Sequence, residues 1–77
     1  MPKIPPVKAS QLIKVLEHEG FFIARQKGSH VILINEQRIR IIVPMHAGRD
    51  LKPGLLRAIL SEAGIERNKF LKLLKEK

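Results

Sequence analysis

Two runs rich in β-branched and aliphatic residues, His30 to Ile34 and Arg38 to Val43, are separated only by the polar triplet Asn35-Glu36-Gln37. A connection that short joins antiparallel strands, so the middle of the chain is committed to a β-hairpin. Pro44 closes the second run, because it has no N–H to give to a ladder. A further run, Phe21 to Gln26, precedes the hairpin and is divided from it by the turn sequence Lys27-Gly28-Ser29. The expectation is a three-stranded antiparallel sheet. A two-residue loop at Glu36-Gln37 would set Ile34 against Ile39, Ile32 against Ile41 and His30 against Val43. That register puts His30 at the first position of its strand, on the apolar face that helices should cover.

The flanking sequence supplies those helices. Ser10 is placed to cap one in which Leu12, Ile13, Val15 and Leu16 recur at three- and four-residue steps, Lys14, Glu17 and Glu19 face water, and Gly20 is the stop. Residues 45 to 52 read as a basic, glycine-containing loop. Pro53 then suits a first helical position, Leu55, Leu56, Ile59, Leu60 and Ala63 make an apolar stripe, and Gly64 ends the helix. Glu66 to Lys75 carries Phe70, Leu71 and Leu74 at helical spacing, a short helix that depends on tertiary contacts. Residues 1 to 9, with Pro2, Pro5 and Pro6, form an extended lead-in. The order is α-β-β-β-α-α, an α+β class. Leu, Ile, Val and Phe make up 27 of 77 residues, enough to fold, and the length allows one domain over residues 1–77. Its core is one layer of helices on one sheet, so any site lies at the surface.

Fifteen Lys and Arg against seven Asp and Glu leave a net charge of +8, which favours a polyanionic partner, nucleic acid or an acidic protein. Cysteine is absent, which excludes disulfides and thiolate zinc sites and fits a reducing compartment. The proline-broken start offers no export signal, and no run approaches the roughly 18 apolar residues of a membrane span. A cytoplasmic protein with no membrane partner is expected. Lys72, Lys75 and Lys77 read as solvated charge.

His46 follows Val43 by three residues, about 10 Å of chain, so His46 and the loop 47–52 should emerge at the sheet end that holds Gly28 and His30. The N-terminus of the helix starting near Pro53 points there as well, a ready anion site with Lys27, Arg49 and Lys52 around it. Those parts suit metal-free cleavage of RNA. Imidazole exchanges protons near neutral pH and can take the 2′-hydroxyl proton, while cations hold the charge of the transition state. A two-metal nuclease would need several clustered carboxylates, but only Glu36 and Asp50 lie between Phe21 and Lys52, so no metal or other cofactor is expected. No phosphate-binding loop, nucleophile elbow or zinc motif is present. On residue types alone, His30 reads as a hydrogen-bonded structural residue, and His18 as solvated. His46 either carries a proton or bonds the loop backbone. Gly28 serves the turn, Ser29 bonds the turn or a phosphate, and Arg38 and Arg40 keep one strand face soluble.

Four motifs stand in order: Gly20-Phe21; Arg25-Gln26-Lys27-Gly28-Ser29-His30; Val43-Pro44-Met45-His46; and Leu51-Lys52-Pro53-Gly54-Leu55-Leu56-Arg57-Ala58-Ile59-Leu60. With this order and spacing the chain resembles the HicA family of toxin mRNA interferases over nearly its whole length. The resemblance implies a double-stranded-RNA-binding-domain-like fold, α-β-β-β-α, to which this chain adds a short C-terminal helix. It also implies metal-independent endoribonuclease activity on mRNA and inhibition by a HicB-type antitoxin that covers the active site. The family's catalytic histidine falls on His30. His46 and Ser29 are auxiliary candidates, and Lys27, Gly28, Arg49 and Lys52 are candidate RNA contacts. Glu66 stands where the family often has Ser, a change that touches helix capping. Two other classes compete: a non-catalytic RNA-binding module of the same fold, and a pure protein-interaction domain. Against the former, the basic cluster near Pro53 is thin and groove-spanning aromatics are missing.

Overall fold

The computed structural model describes residues 4–46 and 48–75. Met1, Pro2 and Lys3 of the expected lead-in, Ala47 of the basic loop and Lys77 of the tail lie outside them. The elements are α1 (Ala9–His18), β1 (Phe22–Lys27), β2 (His30–Ile34), β3 (Arg40–Pro44), α2 (Pro53–Ala63) and α3 (Arg67–Lys75). The class is α+β, with a three-stranded antiparallel sheet ordered β1-β2-β3. No helix among the described residues is long and apolar enough to cross a membrane.

Helix α1 starts at Ala9, ahead of the expected Ser10 cap. Lys8 is the N-cap, and its backbone N–H donates to Gln11 Oε1 at 2.9 Å. Ser10 therefore lies in the first turn, exposed. Leu12, Ile13, Val15 and Leu16 are buried as their spacing predicts, and Gly20 takes φ +96°, the left-handed region that lets the chain reverse into β1. Glu19 departs from expectation. Its side chain is only 16% exposed and accepts from Lys69 Nζ at 2.7 Å, because α3 packs on α1. In α2, Lys52 is the N-cap and Pro53 opens the helix, while Leu56, Ile59 and Leu60 are buried. Leu55, counted in the apolar stripe, is exposed instead. In α3 the buried pair is Phe70 and Leu73, and Leu71 and Leu74 are half-buried, so the inward stripe is rotated from the expected Phe70, Leu71 and Leu74.

The hairpin register differs from expectation by one residue. The loop has three residues, 36–38, with Arg38 left-handed at φ +64°. Arg38 N–H donates to the Asn35 carbonyl at 2.9 Å, and Ile39 N–H donates to Asn35 Oδ1 at 2.9 Å. A left-handed third residue is the usual way for such a loop to keep the strands paired. The resulting pairs are His30 with Pro44, Val31 with Val43, Ile32 with Ile42, Leu33 with Ile41 and Ile34 with Arg40. A one-residue slip turns a strand over. Val31, Leu33, Ile41 and Val43 therefore join the helices in the buried core, and His30, Ile32 and Ile34 point to the opposite face. His30 does not lie on the covered face.

The lead-in is tied down. Val7 is buried, its carbonyl accepts from Leu51 N–H at 2.8 Å, and Lys8 bridges to Asp50. Among the described residues no helix covers the other side of the sheet, and there Phe22 is 54% and Ile42 46% exposed.

Candidate functional site

Two residues, Gly28 and Ser29, turn the chain from β1 into β2. Gly28 has φ +58°, a conformation a side chain would strain, so glycine is what allows so tight a connection. Across the turn Lys27 pairs with His30, and on the other side His30 pairs with Pro44. Lys27, His30 and Pro44 thus form one row on the open face, at the end of the central strand. Met45 N–H donates to the Ser29 carbonyl, which holds the chain leaving β3 against this turn. His46 consequently emerges at the sheet end that holds Gly28 and His30, as its spacing predicts.

His30 is exposed and bonds no other described side chain, so it does not brace the strand as a structural histidine would. The His46 carbonyl accepts from Arg49 N–H at 3.1 Å and tightens the loop, while its imidazole is left to line a surface depression of about 280 Å³. Pro44, Arg49, Asp50, Lys52 and Leu55 share that lining, which accounts for the exposure of Leu55. Lys52 stands at the start of α2. That first turn holds no acidic residue and no side-chain cap, so its N–H groups and the positive end of the helix dipole remain available to an anion.

The structure therefore gathers the candidates into two groups, Lys27-Gly28-Ser29-His30 at the turn and His46, Arg49 and Lys52 at the depression, joined through Pro44. Sequence reasoning missed three contributors. Asp50 is held by Lys8 Nζ at 3.5 Å, a clasp between the lead-in and the basic loop that no local pattern announces. Arg25 and Arg40 come onto the face of His30 only through the corrected register, as partners of Ile32 and Ile34. Among the described residues no three His, Asp or Glu side chains gather into a metal-sized cluster.

A family model described as the HicA toxin of bacterial toxin-antitoxin systems matches residues 9–65, about three quarters of the chain. The match runs from the first residue of α1 to just beyond α2, and so takes in every element but α3. No curated protein matches the chain.

Proposed function

The chain belongs to the HicA family of toxins from bacterial toxin-antitoxin systems, and on that premise we propose that it is an endoribonuclease that binds and cleaves mRNA without a metal ion. The observation that carries this reading is the position of His30: an exposed imidazole with no side-chain partner among the described residues, beside Lys27 and at the sheet end where the depression with His46, Arg49 and Lys52 opens. In this mechanism His30 takes the proton of a ribose 2′-hydroxyl. The 2′-oxygen attacks the adjacent phosphorus, the bond from phosphorus to the 5′-oxygen breaks, and that oxygen receives a proton from His46 or from water. The products are a 2′,3′-cyclic phosphate and a free 5′-hydroxyl. Lys27, Arg49, Lys52 and the N–H groups at the start of α2 stabilise the added charge on the phosphoryl oxygens. Gly28 lets the RNA backbone approach the turn, and the Ser29 hydroxyl donates to a phosphate.

A toxin of such a system has an antitoxin partner. We assign that role to a HicB-like protein that covers the His30 end of the sheet with an acidic surface, excluding RNA by occupation and by charge. The work is done in the cytoplasm, where mRNA is found, by one domain spanning residues 1–77. The test is cleavage of an mRNA fragment by the purified chain with excess EDTA, followed by analysis of the new ends. Cleavage with cyclic phosphate ends is expected, together with resistance where the nucleotide at the cut carries 2′-deoxyribose. Binding without cleavage would assign the chain to the non-catalytic RNA-binding class.

A further inference from the structure

The open face of the sheet is a second surface on which the site continues. Its first row is Lys27, His30 and Pro44. The next row along the strands is Arg25, Ile32 and Ile42, and the last is Phe22, Ile34 and Arg40. From His30 to Ile34 these rows extend about 13 Å. The middle of the face is apolar and its margins are cationic. No carboxylate stands in any of the three rows. Phe22 presents an aromatic ring on the edge strand, more than half exposed.

We propose that this face is the track for single-stranded RNA leading away from the cleaved bond, with Phe22, Arg25 and Arg40 as its binding residues. The inference rests on the ribonuclease reading and deepens it by naming the substrate form and the residues beyond the reacting phosphate. Three observations support RNA as the occupant. The face is continuous with His30, so a nucleotide next to the cleaved phosphate has this surface beside it. Its formally charged side chains, Lys27, Arg25 and Arg40, are all cationic, which complements a phosphodiester backbone. Its apolar floor with one aromatic ring and two guanidinium planes offers stacking surfaces for unpaired bases, the arrangement by which open sheets hold two or three bases of single-stranded RNA. A duplex, whose bases are already stacked internally, gains nothing from such a floor.

The test measures affinity for a short unstructured RNA and for a duplex of the same length, by fluorescence anisotropy, together with single-turnover cleavage at protein concentrations from below to above saturation of the RNA. Phe22→Ala and the double variant Arg25→Gln/Arg40→Gln are compared with Lys72→Gln/Lys75→Gln, which removes the same charge from α3 on the helical side. All these positions are exposed, and thermal unfolding checks that each variant is folded. The expected result is about tenfold weaker binding of the unstructured RNA for both face variants, with a correspondingly higher protein concentration needed for half-maximal cleavage rate, and a much smaller change in both for the α3 pair. Native preference for the duplex, or face variants that bind like the α3 pair while wild type cleaves, overturns the track and leaves the nuclease reading standing. Wild type that neither binds nor cleaves RNA overturns both. Face variants that keep RNA affinity yet escape a neutralising antitoxin would give the surface to the protein partner and also overturn the proposal.

Discussion

Replacing His30 with Ala separates a chemical role from a structural one, because the structure assigns the side chain almost no part in holding the fold. It is exposed, lies outside the buried cluster and bonds no described side chain. Exposed positions of that kind change stability by no more than about 0.5 kcal/mol. A positioned general base is worth about 10² to 10⁴ in rate, about 3 to 5 kcal/mol of barrier. His30→Ala should therefore melt within a few degrees of wild type, bind RNA through the remaining cations, and cleave it at least about a hundredfold more slowly. The assay is single-turnover cleavage of a labelled RNA, read beside anisotropy and thermal unfolding on the same preparations, with growth arrest on expression as the cellular counterpart. His46→Ala is its companion. The His46 imidazole bonds no described side chain either, so its loss should leave the melting temperature in place and slow the chemical step by a smaller factor, since water can protonate the leaving oxygen. Full cleavage by His30→Ala would refute the imidazole mechanism. A fall in melting temperature without a change in rate would return His46 to bracing the loop.

Neutralising Lys27, Arg49 and Lys52 should weaken RNA binding more than neutralising Lys72 and Lys75, and should reduce the slope of log affinity against log salt by about one for each phosphate that is no longer paired with a cation; a salt titration of both variants decides it. The hydrogen bond from Lys69, reinforced by His18, holds the Glu19 carboxyl below its ordinary value of 4.5. Its stabilising effect is complete above that value and disappears as the pH falls through the lowered one. Because Lys69 is half exposed the gain is small, so Glu19→Gln should cost up to about 1 kcal/mol at neutral pH and converge with wild type in acid, as seen in denaturant unfolding at several pH values. Arg38→Gly should raise stability by up to about 1 kcal/mol, since glycine adopts the left-handed conformation there without a Cβ penalty; a lower melting temperature would show that the loop does not use that conformation.

What could be read from residue types and what could not is clearest in the hairpin. The inward face of β3 was legible, because Ile41 and Val43 alternate with Arg40 and Ile42 beside a polar turn. The face of β2 was not. Val31, Ile32, Leu33 and Ile34 are apolar at four consecutive positions, so either phase of the strand buries two aliphatic side chains and periodicity cannot choose between them. The choice passes to the turn, and the turn is set by Arg38 in a conformation that sequence normally marks with Gly or Asn. Helix α3 shows the same ambiguity, since Leu71, Leu73 and Leu74 compete for the place beside Phe70. The clasp of Lys8 on Asp50 joins residues 42 positions apart and leaves no local trace. The candidate residues themselves are robust to these errors: Gly28 fixes the turn, the turn fixes the strand end, and His30 stands at that end in either register. Their surroundings are not. With His30 on the covered face the site would be only a strip at the sheet end, whereas the one-residue slip opens a basic and apolar surface beside it. The turn at Gly28 thus keeps the candidate residues together in either register, and the backbone conformation of Arg38 decides which surface lies beside them.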